Sequence, residues 1–198
     1  MPRTTERREL LADAAVRVLA DAGIHGLTHR AVDARASVPV GTTSRYFRTR
    51  ASLLRIAAET IRDHHRAYLE NLAETSRPGA PDLAEVLARI LADGERTQRD
   101  LYLARIELAL ESRRTAELRP ILEEMRTLSI TAARRLAGGA GIELSETETD
   151  LLGTLLVGIT LDRVTLGRPR ANPTTLAGSL IGALGRSAPS TLLAPTAD

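Results

Sequence analysis

The residues best equipped for chemistry cluster between Thr28 and Arg50, and that chemistry is hydrogen bonding rather than bond making. Val40-Gly41-Thr42-Thr43-Ser44-Arg45 gathers three hydroxyls, a glycine and a guanidinium into six residues. Thr42, Thr43 and Ser44 can bond base edges or phosphates, and the methyls of Val40 and the threonines can touch a thymine methyl. Gly41 lets a backbone approach closely. Arg45, and Arg30 upstream, can each grip a guanine through two N–H groups. Tyr46 can donate to one phosphate and Arg50 can pair with another. Taken alone, the same hydroxyl-rich stretch also fits a solvated surface turn, with Arg45 on a solvated face.

Other chemistries lack their reagents. The chain has no cysteine, hence no thiol nucleophile, disulfide or thiolate-held zinc. All 27 basic residues are arginine, so a Schiff-base lysine and a lysine-bearing phosphate loop are both ruled out. The four histidines are His25, His29, His64 and His65. The last two are adjacent, point about 100° apart on a helix and cannot share a metal. Solvated or hydrogen-bonded imidazoles are the expectation, with His29 near enough to the candidate reading helix to approach DNA. No catalytic residue, metal or cofactor is expected.

In 198 residues, 43% apolar and 26% charged, the chain can bury a core and stay soluble. Aromatics are 2% with no tryptophan, which leaves nothing to build a base-stacking platform for single strands. The net charge is only +2 but is unevenly spread. Residues 1–50 carry a net +4 and residues 51–198 a net −2, so the basic end is the one suited to a polyanion. The N-terminus is polar to Glu9 and then amphipathic, without the look of a secretion signal. The longest apolar stretch, Leu151–Leu161, is too short to span a bilayer, and the expectation is a cytoplasmic protein with no membrane partner.

The elements that must hold the cluster read almost wholly as helix. Leu11, Ala15, Val18, Leu19 and Ala22 recur at three- and four-residue steps, from a cap at Thr4 or Thr5 to a stop at Gly23. Thr28 caps a second helix to about Ala36, with Leu27 and Val32 as its hydrophobic staple. Ser37-Val38 turns the chain, and Pro39 is placed to start a third helix that runs to about Phe47. Thr49 caps a long fourth helix. Residues 76–81 read as a loop and Asp82 starts the next helix, near whose end Gly94 is a weak point. Helices are expected over Leu101–Arg113, Pro120–Leu136, Glu146–Leu166 and Thr174–Gly185, with a break at residues 138–141 and a capping box of Ser145 with Glu148. From Ser187 onward the composition suits a disordered tail.

Short helix, three-residue turn, short helix is the helix-turn-helix arrangement, whose second helix enters the major groove. Residues 26–54 also resemble the N-terminal signature of the TetR family of bacterial transcriptional regulators. Gly26, Leu27, Thr28, Val32, Ala36, Val38, Pro39, Gly41, Thr42, Tyr46, Phe47, Leu53 and Leu54 match it as they stand. The resemblance implies an all-α fold: a helix-turn-helix DNA-binding domain over 1–49 and a helical effector-binding and dimerisation domain over 50–186. It implies phosphate contacts from Thr28, Thr42, Ser44, Tyr46 and Arg50, and base contacts from Arg30, Val40, Gly41 and Thr43, with Arg45 a further candidate. It also implies a double-stranded DNA operator, an unidentified small-molecule effector and a repressor's role. Ser44 stands where the family usually has tyrosine, Arg50 where it has lysine, and Ser37 where it has the turn glycine. The last of these forces a side chain into a turn that favours glycine, at roughly 1 kcal/mol.

In the body, Arg105 and Glu107 interrupt an apolar helix, as do Asp162 and Arg163 farther on. Such charges form ion pairs between helices or orient a ligand in a cavity. Tyr68, Tyr102, Met125 and Thr160 are open to the same two readings, core or cavity. The helices over 146–166 and 174–185 are apolar nearly all round, which points either to a four-helix interface with a second copy or to burial within one chain. Two alternatives stand beside the ligand-responsive regulator. One is a DNA-binding or architectural protein without an effector, and the other is a small helical enzyme, for which no nucleophile–base pair is visible.

Overall fold

A computed structural model describes residues 4–74, 83–166 and 171–184. In chain order it has α1 (Thr4–Gly26), α2 (His29–Arg35), α3 (Thr42–Tyr46), α4 (Arg50–Glu74), α5 (Leu83–Glu95), α6 (Arg99–Glu111), a 3-10 turn (Ala116–Leu118), α7 (Arg119–Gly139), α8 (Glu146–Leu166) and α9 (Pro173–Leu184). Among the described residues there is no strand, and none of these helices is long and apolar enough to cross a membrane. The loop expected at 76–81, the start at Asp82 and the tail from Ser187 lie outside the described residues.

Most helix ends sit where the local chemistry places them. Thr28 is extended at φ −128°, and its hydroxyl accepts the Ala31 amide at 3.2 Å, a cap worth about 1 kcal/mol. Thr49 and Ser52 cap α4 reciprocally, each hydroxyl accepting the other's amide at 3.0–3.1 Å. Ser145 and Glu148 form the expected capping box. Gly23 breaks α1 with φ +65°, although helical turns resume through Gly26.

Two helix limits differ from expectation. Pro39 does not open α3. Gly41 is the N-cap, in the left-handed region at φ +90°, and α3 is a single turn from Thr42 to Tyr46. Helix α7 continues through Gly138 and Gly139 before the chain turns, because Ala140 and Ile142 still find carbonyl partners on its last turn. Ser37 adopts φ +53°, the strained turn expected where a glycine is usual.

The apolar side chains form two clusters. One joins Leu11, Leu19, Leu27, Val32, Phe47, Leu53 and Ile61 to Ala104, Leu108, Leu118 and Met125. It runs from α1 through the short helices into α4, α6 and the start of α7. The second gathers Leu72, Leu83, Val86, Leu87, Leu136, Leu152 and Ala177 at the far end of the body. Phe47 is buried, and Arg8 of α1 lies over its ring, 5.3 Å from the centroid. Thus α3, too short to hold itself, is clamped by its C-terminal aromatic against the first helix.

Helix α5 runs unbroken through Gly94 because α8 presses against it there. A Cβ on Gly94 would lie 2.6 Å from the Thr160 methyl, so the missing side chain is what lets the two helices approach.

Candidate functional site

The outer face of α2 and α3 begins with Asp33. Its side chain is 1% exposed, and its carboxylate faces three donors. The Gly41 amide donates to Oδ2 at 2.7 Å, and the Thr43 amide and hydroxyl donate to Oδ1 at 2.7 and 2.6 Å. One carboxylate on α2 therefore caps α3 across the turn, in place of a cap from the glycine at its N-terminus. Burial works to raise the Asp33 pKa. The hydrogen bonds from Thr43 and Gly41 outweigh it, with help from nearby His29, and hold it below the ordinary aspartate value.

This arrangement corrects one base-reading expectation. Thr43 is fully buried, and its hydroxyl proton is committed to Asp33, so it positions α3 and faces no groove. His29 is hydrogen-bonded, as expected of these imidazoles: its Nε2–H donates to the Phe47 carbonyl at 2.6 Å and ties the start of α2 to the end of α3. Val40 is 81% exposed, an apolar side chain held out into solvent at the tip of the turn. Arg30, Ser44 and Arg45 are exposed beside it, and Thr42 and Tyr46 are half-buried. The Thr42 and Ser44 hydroxyls donate locally, to the carbonyls of Pro39 and Gly41, and must rotate to reach a phosphate. No atom lies within 4 Å of a Cβ built on Gly41, so that glycine answers first to its positive φ.

Arg50 has a second occupation. Its Nη1 donates to the Leu27 carbonyl at 2.6 Å and its Nη2 to the Ile24 carbonyl at 2.5 Å. The fork of the guanidinium suits two carbonyls three residues apart, which lysine's single ammonium reaches less well. The start of α4 is thereby bound to the link between α1 and α2.

The body encloses a cavity of about 360 Å3 between α4, α5, α6, α7 and α8. Of the six body residues named from sequence, Tyr68, Tyr102, Arg105, Met125 and Thr160 line it. Glu107 does not. Its carboxylate accepts the Ile24 amide at 3.0 Å, where α1 kinks at Gly23, so it joins α6 to the N-terminal helices. A Cβ on Gly23 would meet that carboxylate at 3.1 Å. Arg163 forms the interhelical ion pair, with Glu95 of α5, rather than facing the cavity.

Sequence reasoning missed His65 as a lining residue. It turns toward Ser129 of α7, whose oxygen lies 2.8 Å from Nε2, while adjacent His64 turns to Asp13 of α1 at 3.5 Å. The signal was the adjacency itself, since two imidazoles about 100° apart on a helix face different neighbours. Burial, with the positive charge of Arg105, pushes the His65 pKa down to about 4, against a weaker opposing effect of the Met125 carbonyl. His65 is therefore neutral at neutral pH. Its folded pKa lies below the unfolded value, so its contribution to stability is whole above about pH 6.5 and is lost as pH falls toward 4. Unfolding of His65→Gln is expected to lose that part of the pH dependence, which equilibrium urea titrations at pH 7.5 and 5 measure.

Across the cavity, Tyr68 donates to Asp93 at 3.0 Å, and the Tyr102 hydroxyl lies 3.5 Å from the Leu156 carbonyl. Burial first, and Asp93 beside it, hold the Tyr68 phenol un-ionised. Among the described residues no cluster of three His, Asp or Glu side chains is placed to hold a metal ion.

Two family descriptions match the chain. "Bacterial regulatory proteins, tetR family" covers residues 11–57, and "Tetracyclin repressor-like, C-terminal domain" covers residues 78–186, more than half the chain. The chain belongs to the TetR family of transcriptional regulators. Solved TetR-like structures agree. The multidrug-binding protein EbrR, in complex with malachite green, is 31% identical over 90% of this chain and 98% of its own, with a TM-score of 0.66. A TetR-family member from Streptomyces coelicolor A3 is 29% identical over 88% and 98%, with a TM-score of 0.67. A transcriptional regulator from Rhodococcus sp. Rha1, 22% identical over 89% and 95%, shares the fold with a TM-score of 0.73. No curated protein matches. As a TetR-family member the chain is a DNA-binding regulator with a ligand-binding C-terminal domain, not an enzyme.

Proposed function

We propose that this TetR-family protein represses transcription as a homodimer on a palindromic operator and is released when a small molecule enters the body. The carrying observation is on α6, where Arg105 lines the cavity and, two residues on, Glu107 holds the Ile24 amide at the kink of α1. A ligand that moves α6 pulls on α1, the helix against which Phe47 clamps the reading helix. Helix α4 is a second arm, since it lines the cavity through Ile61, His65 and Tyr68 and is anchored by Arg50 at its other end. The ligand shifts the equilibrium only by binding one arrangement of these helices better than the other. EbrR, solved with proflavin and with ethidium, supports a ligand site in such a body.

In this reading residues 1–49 meet DNA and residues 50–186 sense and dimerise. Arg30, Val40, Gly41 and Arg45 address bases, and Thr28, Thr42, Ser44 and Tyr46 address phosphates. The pairing surface is α8 with α9. Leu151, Leu155, Val157 and Leu166 are 37–59% exposed there. Built Cβ atoms on Gly153, Gly158, Gly178 and Gly182 meet nothing within 4 Å, so the two helices offer an apolar, small-residue face that a second copy can approach closely.

The test is footprinting of the purified protein on the DNA around its own reading frame, with its mass measured in solution. A dimer protecting two half-sites about one helical turn apart, roughly 34–36 Å, is expected. A stable monomer, or equal affinity for scrambled duplex, refutes the reading. Arg30→Ala is expected to cost about 1–3 kcal/mol on the operator and to relax the preference at one base pair, read by competition with single-base operator variants.

A further inference from the structure

We infer that the cavity takes an apolar molecule carrying a single carboxylate, which Arg105 binds as an ion pair, and that it rejects lipophilic cations. This assignment rests on the effector site proposed above and names its ligand class.

The cavity's charges do not balance. Three of its lining side chains carry formal charge: Arg105, Arg126 and Asp150. Arg126 and Asp150 satisfy each other at 2.9 Å, and Arg126 is largely exposed. Arg105 is half-buried on α6, and among the described residues no carboxylate lies within ion-pair distance of it. The other acids nearby are engaged: Asp93 takes the Tyr68 hydroxyl and Arg89, and Glu124 takes Arg62 and Arg66. His65 faces the same space without charge.

A guanidinium does not deprotonate at any ordinary pH, so an empty cavity keeps a cation that has left much of its hydration without gaining a counter-charge. Burial lowers its pKa, and the field of nearby Tyr102 opposes that only in part. A carboxylate supplies two parallel N–H···O bonds in the geometry the guanidinium prefers. The cavity wall also includes Leu87, Ile90, Leu101, Met125 and Leu156, which offer hydrocarbon and no charge. A cationic ligand would instead meet like charge in a low-dielectric space, with no free acid among the described lining residues to compensate.

The test uses the full chain and three probes alike except at the head: decanoate, decanamide and decylammonium, each below its micellar concentration, in isothermal titration calorimetry. Naphthoate and ethidium run in parallel as an aromatic anion and an aromatic cation. At least one carboxylate is expected to bind tenfold or more tighter than decanamide, with neither cation binding detectably. Arg105→Met should weaken the carboxylate at least tenfold, leave decanamide unchanged and raise the melting temperature, since it removes an uncompensated charge; Arg105→Lys should retain part of the preference. Loss of melting temperature in Arg105→Met, a head preference that survives it, equal binding of all heads, tighter binding of a cation or failure of both carboxylates overturns the assignment. Gel shifts on operator DNA separate the two proposals. A carboxylate that binds through Arg105 but leaves DNA binding intact sinks effector release and keeps the ligand class. Release by decanamide as readily as by decanoate does the reverse.

Discussion

Asp33→Ala is expected to abolish operator binding and to destabilise the protein by about 3–5 kcal/mol, the largest single effect among the residues near the reading helix. Three donors lose their acceptor at once: the amides of Gly41 and Thr43 and the Thr43 hydroxyl. They stay buried or half-buried in a turn where water enters with difficulty, so each keeps much of its desolvation cost. Helix α3 has one turn and a left-handed N-cap with no side-chain cap of its own, so nothing local replaces the carboxylate. Asp33→Asn keeps one carbonyl oxygen and should lose about half as much, because its amide nitrogen then faces a donor. Urea unfolding and operator titration on the same samples measure both effects. The pH sign is also defined. The Asp33 folded pKa is below the unfolded value of 3.8, so its stabilisation is present above that pH and disappears as acid titrates the carboxylate below it. Asp33→Ala with full operator affinity would show that α3 is positioned by other contacts.

Arg50→Ala should also weaken DNA binding, and the structure changes how. As a phosphate contact it would lower affinity for all sequences and flatten the salt dependence by about one unit. Arg50 also holds the carbonyls of Ile24 and Leu27 at 2.5–2.6 Å, in charge-assisted bonds that join α4 to the link between α1 and α2. The expected result is therefore a stability loss of about 1.5–3 kcal/mol, with a salt slope nearly that of the parent. Arg50→Lys should recover one of the two bonds and part of the stability. Salt titrations of operator affinity beside urea unfolding decide it. An unchanged unfolding midpoint with a slope lower by one unit returns Arg50 to the phosphates.

Both residues show where sequence legibility ends. Arg50 was read as a charge at a helix start, which it is, but a side chain with five donors can serve a phosphate or two carbonyls, and only the folded path of residues 24–27 shows the carbonyls within reach. Asp33 entered only as an acid in a basic segment. Its partners lie eight and ten residues on, across a turn, and no helical or strand periodicity links such positions. Thr43 was misjudged for the same reason. Its hydroxyl suits DNA equally well, and the choice between groove and neighbour is settled by which way a one-turn helix rolls on its clamp, Phe47. In the body, Arg105 and Glu107 were picked out because they interrupt an apolar helix, and Tyr68, Tyr102, Met125 and Thr160 because they suit core or cavity alike. Five of the six line the cavity, and a charge that breaks a buried stripe must find a void or a partner. Glu107 found a partner, the amide freed by the kink at Gly23.

Sequence alone determined what short-range forces decide: where helices begin at Thr28, Thr49 and Ser145, that Gly23 breaks the first of them, that Ser37 bears a strained turn, and that residues 26–54 form the helix-turn-helix of this family. Those outcomes depend on residues within a turn or two of one another, whose chemistry the chain order already displays. Tertiary structure alone decided which hydroxyls and guanidiniums face outward, that one carboxylate organises the reading helix, that α6 touches both cavity and kink, and that Arg105 has no counter-charge among the described residues. Each of these depends on which distant groups share a small volume, and burial then assigns the energy, since the same side chain is inexpensive in water and demanding once water is excluded.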